Sequence, residues 1–80
     1  MKRTLEEILE LEKQRRHEDG IFGIKACKES IRNTIQINKD VFHERTSLYK
    51  LLEDYVERAN ADVFFNQAMV LACWEIINEK

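Results

Sequence analysis

The chain contains no proline and only two glycines, Gly20 and Gly23, among its 80 residues. Proline interrupts helices and glycine weakens them, so the shortage of both permits long helices everywhere except near this glycine pair. Repeats, low-complexity segments and linkers are also missing from the sequence. We therefore expect a single helical domain, residues 1–80, whose helices are joined by short turns.

Side chains that usually carry out catalysis or bind metal ions are scarce, because the chain has two histidines and two cysteines. His43 lies near Asp40 and Glu44, but a metal-binding bundle needs further inward-facing carboxylates or a second histidine. Cys27 and Cys73 occupy apolar positions, which predicts reduced, buried thiols and leaves a disulfide between them as the alternative. There is no glycine-rich phosphate loop and no nucleophile beside a recognisable base. We therefore expect no enzyme activity, no metal ion and no cofactor.

Positive charge is not in excess either, because the formal net charge is −2 at pH 7. Nucleic-acid-binding domains are usually strongly basic, so the composition argues against that class of protein. One face of the second predicted helix nevertheless concentrates cations, which leaves nucleic-acid binding as an alternative function. The residues of this basic face are Lys25, Lys28, Arg32 and Lys39.

What the sequence does have is one strongly apolar stretch, residues 62–78, DVFFNQAMVLACWEIIN. Twelve of the fifteen residues from Val63 to Ile77 are apolar, a density found nowhere else in the chain. As a helix these fifteen residues would span roughly 22 Å, short of the ~30 Å hydrocarbon core of a membrane, so we expect a buried helix. The charged residues at the start, MKRTLEEILE, lack the apolar core of a secretory signal, so a cytoplasmic location is predicted.

Helical periodicity divides the apolar stretch into more than one apolar face. The first face suits packing on the preceding helix and contains Phe65, Ala68, Met69, Ala72 and Ile76. The second face is rotated well away from the first, so one neighbouring helix cannot cover both. We therefore predict a homodimer, and the residues assigned to its interface are Val70, Trp74 and Ile77.

Three helices are expected before the apolar stretch. The first begins at Thr4, whose spacing from Glu7 is that of a capping box. The second covers about Ile24–Ile37, although the alternation of apolar and polar residues in 34–38 leaves a short strand as the alternative there. The third is predicted from Ser47 onward, and its apolar side faces the apolar stretch. This third helix and the helix of the apolar stretch should therefore form an antiparallel hairpin.

Two connections in this scheme have recognisable turn chemistry. Ile21 and Phe22 lie between the two glycines and are expected to tuck beneath the bundle. Asn60 tolerates left-handed backbone, and Asp62 is placed to cap the last helix. A GxxG turn also clamps the nucleic-acid backbone in KH domains, but those domains need a sheet, and this sequence offers no three strands.

The predicted fold is all-α, a small three- or four-helix bundle with a C-terminal antiparallel helical hairpin. Because no catalytic or metal site is recognisable, we predict a non-enzymatic protein-interaction module, such as an adaptor, regulator or inhibitor. Its expected partners are a second copy of itself and another protein, without a membrane. The alternative is a nucleic-acid-binding regulator that uses the basic face.

Overall fold

A computed structural model describes residues 2–42 and 45–79. Its helical segments are α1 Leu5–Gln14, α2 Ile24–Ile37, α3 Lys39–Phe42, α4 Arg45–Ala61 and α5 Ala68–Ile77, and these described residues contain no strand. The all-α prediction is therefore confirmed. Because α2 continues through Ile37, the strand alternative for residues 34–38 is wrong.

The first helix starts where its capping residues predict. The Thr4 hydroxyl accepts a hydrogen bond from the Glu7 backbone N–H, and the Glu7 carboxylate accepts one from the Thr4 backbone N–H, both at 3.2 Å. This reciprocal pair satisfies two N–H groups that a helix start otherwise leaves without partners. The helix then buries Ile8 and Leu9 against the rest of the chain.

The turn between α1 and α2 depends on its two glycines. Gly20 has φ +95°, a left-handed conformation that other residues rarely adopt. Gly23 packs so closely that an added Cβ would lie 2.5 Å from the Asp19 carbonyl oxygen. The expectation that Ile21 and Phe22 tuck beneath the bundle is wrong, because this tight turn directs both side chains into solvent.

The apolar stretch supplies the central helix of the bundle. Helix α5 packs against α1, α2 and α4, and its residues Val70, Leu71 and Ala72 have no exposed surface. Because three helices surround it, α5 is apolar on nearly every side, as fully buried helices are. None of the helices in residues 2–42 and 45–79 is long and apolar enough to span a membrane.

Helix α5 begins at Ala68, five residues later than a cap at Asp62 would place its start. The Asp62 carboxylate instead accepts a hydrogen bond from the Phe64 N–H at 2.9 Å, and the Asp62 carbonyl accepts one from the Phe65 N–H. Aspartate often closes a turn onto its own following backbone in this way, in competition with a helix. Asn60 does not adopt left-handed backbone either, because it lies inside α4.

The antiparallel hairpin of α4 and α5 is present despite the longer connection. Near the turn, the rings of Tyr55 and Phe65 lie 5.8 Å apart, and at the far end Cys73 Sγ lies 3.9 Å from the Leu48 carbonyl oxygen. Successive residues of α5 thus meet earlier residues of α4. The core around this hairpin consists of Ile8, Leu9, Ile24, Cys27, Ile31, Leu52, Tyr55, Ala68, Val70, Leu71, Ala72, Cys73 and Ile77.

Candidate interaction surface

The residues predicted for a dimer interface lie largely inside the single chain. Val70 is 0% exposed and Ile77 is 4% exposed, while Trp74 is half-buried against the core. Helices α1 and α2 both pack on α5 and cover this second face, a contribution that the sequence pattern underestimated. This corrects the assignment of the interface, because Val70 and Ile77 have almost no surface to offer a second subunit.

The basic face of α2 is occupied by carboxylates of the same chain. Lys28 Nζ lies 2.9 Å from a Glu75 carboxylate oxygen, and Arg32 Nη2 lies 2.7 Å from both carboxylate oxygens of Glu79. Lys28 also lies 3.6 Å from Glu79. The last turn of α5 thus places negative charge directly along the cations that were expected to follow phosphates.

The other two cations of the predicted basic face lie apart from this pairing. Lys25 Nζ lies 3.3 Å from the carboxylate of Asp19, in the turn that precedes α2. Lys39 is exposed and is the first residue of α3, beyond the end of α2. The structure therefore does not bring the four predicted cations together as one uncompensated positive surface.

Arg16 completes the ion-pair cluster at the end of α5. Its guanidinium binds the Glu75 carboxylate through two nitrogens, one at 3.0 Å, and also pairs with Glu18. The hydrogen bonds that Arg16 donates to Glu75 and to Glu18, the first being the larger cause, raise the pKa of Arg16. Correspondingly, the hydrogen bond from Arg16 lowers the pKa of Glu75, and the hydrogen bond from Arg32 lowers the pKa of Glu79.

Both cysteines are free thiols in the core. Burial raises the pKa of Cys73 to about 11, and burial also raises the pKa of Cys27, with the nearby Glu12 carboxylate adding to the effect. A thiol with a raised pKa stays protonated at neutral pH and is a weak nucleophile. The predicted reduced state of the two residues fits this arrangement, and the disulfide alternative is not present.

A small cavity of about 280 Å³ opens between α1, the turn that follows α1 and the start of α5. Among its lining residues, Glu12 is buried, and its Oε2 atom lies 3.1 Å from Arg15 Nη2 without forming a hydrogen bond. Asn66 lines the opposite side. In the part of the chain that the structure describes, no three histidine, cysteine or acidic side chains converge as metal ligands. The prediction that Asp40, His43 and Glu44 do not form a metal site stays a prediction, because residues 43 and 44 lie outside that part.

Besides Ile37, which is 81% exposed at the end of α2, and Tyr49 on α4, four exposed large apolar side chains of the described residues lie in two turns, one between α1 and α2 and one between α4 and α5. They are Val63 at 91% exposure, Phe64 at 92%, Ile21 at 83% and Phe22 at 70%. We call the two turns that carry these four side chains the apolar turns. Soluble proteins seldom expose large apolar side chains close together unless the surface binds something.

A hydrogen bond joins the two turns. Asn66 Nδ2 donates to the Phe22 carbonyl oxygen at 3.2 Å, while Asn66 Oδ1 accepts from the Ala68 N–H that opens α5. Phe64 is only two residues from Asn66, so their Cα atoms lie within about 7.6 Å of each other. The backbones of the two turns therefore lie closer together than the width of a typical protein interface, which covers some 800 Å² per partner.

The apolar turns were missed because their residues were assigned to buried positions. Val63 and Phe64 were placed on the last helix, since they continue its apolar run. The available signal was the pair of turn-forming residues, Asp62 and Asn66, that brackets them. Similarly, Gly20 and Gly23 bracket the other exposed pair. In both turns the turn-forming residues therefore predict the local backbone geometry better than hydrophobicity does.

The fold and these surfaces define a small all-α protein with a buried central helix and two exposed apolar turns. Comparison of the chain with protein-family models, with curated proteins and with solved structures gives no match.

Proposed function

We propose that this chain is a non-enzymatic protein-interaction module that binds a partner protein through the apolar turns. The observation that carries the proposal is the exposure of four large apolar side chains, Ile21, Phe22, Val63 and Phe64, in two turns that a hydrogen bond joins. The four residues together expose surface on the order of 600 Å².

The backbone of both turns is well enough bonded to hold these side chains in place. The Ile24 N–H donates to the His17 carbonyl at 2.7 Å, and the Gly23 N–H donates to the Gly20 carbonyl at 3.1 Å. In the other turn, Asp62 receives the hydrogen bonds from Phe64 and Phe65 described above. A surface that is ordered before binding loses less conformational entropy when a partner docks.

Nucleic-acid binding through the basic face is the less favoured alternative. Lys25, Lys28 and Arg32 already pair with acidic groups of the same chain, so phosphates would have to displace Asp19, Glu75 and Glu79. Affinity for nucleic acid comes largely from cations that replace the counterions of phosphate groups. Cations that already have carboxylate partners supply less of that driving force.

The proposal is tested by site-specific photo-crosslinking in cells. Benzoyl-phenylalanine is introduced in place of Phe64, and in place of Ile37 as a matched control. Ile37 is 81% exposed and lies at the end of α2, outside both turns. We expect a covalent protein adduct from position 64 whose yield falls at least tenfold when Ile21→Glu is added. Equal yields from positions 64 and 37, or no adduct from position 64, would contradict the proposal.

A further inference from the structure

We infer that the partner of the apolar turns is a second copy of this chain, bound around a two-fold axis. The inference rests on the proposed function, because it names the occupant of the same surface. It moves the interface of the predicted homodimer from α5 to the apolar turns. The charge around the turns, the area they expose and the order of their backbone carry it.

The charges beside the turn between α1 and α2 are compensated within the chain. Asp19 pairs with Lys25, and Arg16 pairs with Glu18. Arg15 lies 3.1 Å from the buried carboxylate of Glu12. A surface made of such pairs can face a copy of itself without strong repulsion between like charges.

The second turn carries one charge of each sign. Asp62 precedes the exposed pair Val63 and Phe64, and Arg3 lies beside Val63, with its guanidinium 3.4 Å from the Gln67 amide oxygen. In a two-fold arrangement the acid of one copy can approach the base of the other. An anionic membrane or a nucleic acid would instead require an excess of cations around the apolar residues.

The exposed area also fits a dimer of this kind. A two-fold interface uses the same patch twice, so roughly 600 Å² from each copy gives about 1,200 Å² in total. That total lies at the lower end of the range for specific protein interfaces, ~1,200–2,000 Å². The four side chains are therefore enough for a modest dimer without any contribution from the buried residues of α5.

Burial in a dimer would also relieve the exposure of two phenylalanines. Aromatic side chains dominate the energetics of most interfaces, and truncating one at the centre of a patch weakens binding by ~30- to 1,000-fold. Phe64 is the most exposed large apolar residue in the described part of the chain, so we expect it near the two-fold axis. Introducing charge there should weaken the dimer more than the same change elsewhere.

The test is sedimentation equilibrium of the purified full chain over a wide concentration range. We expect a reversible dimer for the wild type, and a dissociation constant raised at least ~100-fold by Phe64→Glu. Ile37→Glu is the matched control, since it adds the same charge to an equally exposed apolar site and should change the constant less than threefold. Circular dichroism checks that each variant is folded, and Ile21→Glu replaces Phe64→Glu if the latter unfolds.

Two results would overturn the inference. One is a wild-type chain that stays at its 9.6 kDa monomer mass up to about 100 µM. The other is a dimer that Phe64→Glu and Ile37→Glu affect equally, which would place the interface elsewhere. In either case the photo-crosslink from position 64 still reports on the proposed function. An adduct with a different protein preserves that function with another partner, whereas no adduct removes both.

Discussion

Two parts of one apolar stretch differ sharply in their exposure to solvent. Residues 63–64 are more than nine-tenths exposed, whereas residues 70–73 are almost completely buried, although both parts are strongly apolar. The difference arises at Asp62, which closes a turn instead of starting a helix. Hydrophobicity alone thus predicts that a segment prefers burial, but the backbone route decides whether a neighbour is there to bury it.

The same comparison shows why one half stabilises the fold and the other half does not. Helices α1, α2 and α4 all contact α5, so its side chains lose their hydration when the chain folds. Val63 and Phe64 keep most of theirs, so they add little to the stability of the single chain. Substitutions in the two halves should therefore separate folding from binding.

The largest effect is expected for Leu71→Ala, in the buried half. Leu71 has no exposed surface, so the substitution leaves a cavity and should lower the free energy of unfolding by about 3–4 kcal/mol. Phe64→Ala, in the exposed half, should lower it by less than about 0.5 kcal/mol. Urea denaturation is the measurement, at a protein concentration low enough that self-association adds nothing. Similar losses of unfolding free energy for both variants would contradict the predicted difference between the buried and the exposed half.

The next effect is expected at the turn between α1 and α2. Gly23→Ala places a Cβ 2.5 Å from the Asp19 carbonyl oxygen, so the backbone must shift, at a cost of about 2–3 kcal/mol. Gly20→Ala meets no atom within 4 Å and should cost about 1 kcal/mol, from its φ of +95° alone. Thermal unfolding of the two variants tests this order. A smaller loss of stability for Gly23→Ala than for Gly20→Ala would mean that the backbone of the turn shifts at little cost.

A smaller effect should follow from separating the two turns. Asn66→Ala removes the hydrogen bond to the Phe22 carbonyl and the one from the Ala68 N–H, for a loss of about 1–2 kcal/mol. Hydrogen exchange at the Ala68 amide should accelerate in the same variant. Asn78→Ala is the control, because it removes one exposed hydrogen bond to the Trp74 carbonyl and should cost about 0.5 kcal/mol. Equal losses would show that the link between the turns adds no stability.

The smallest effect concerns the ion pairs at the other end of α5. Arg16 lowers the pKa of Glu75 below its ordinary 4.5, so this interaction stabilises the fold above that pH and is lost as pH falls through the lower, folded-state value. Glu75→Gln should therefore reduce stability at pH 7 by up to about 1 kcal/mol, and the reduction should be smaller at pH 3.

Urea denaturation of wild type and Glu75→Gln at both pH values measures this difference. Glu29→Gln is the control, because Glu29 is exposed on α2, and the substitution should leave stability nearly unchanged at either pH. A Glu75→Gln effect that persists unchanged at pH 3 would assign it to packing of the side chain and not to its charge.

Much of the helical scheme could be predicted because it depends on neighbours in sequence. Thr4 and Glu7 are three residues apart, and their capping box begins α1 as expected. The span predicted for α2, Ile24–Ile37, matches the observed helix, because apolar residues at helical spacing report a local period. The hairpin was predicted from two apolar helices close together in sequence, and it forms although the connection is longer than predicted.

The sequence by itself thus determined the all-α class, the turn at the glycine pair and the helix that would be most buried. Only the tertiary structure decided which apolar residues stay outside and which cations are already paired. Asn66 reaches Phe22 across 44 positions, and Arg32 reaches Glu79 across 47. Exposure and charge compensation are properties of such distant contacts, so no local pattern of hydrophobicity or charge encodes them.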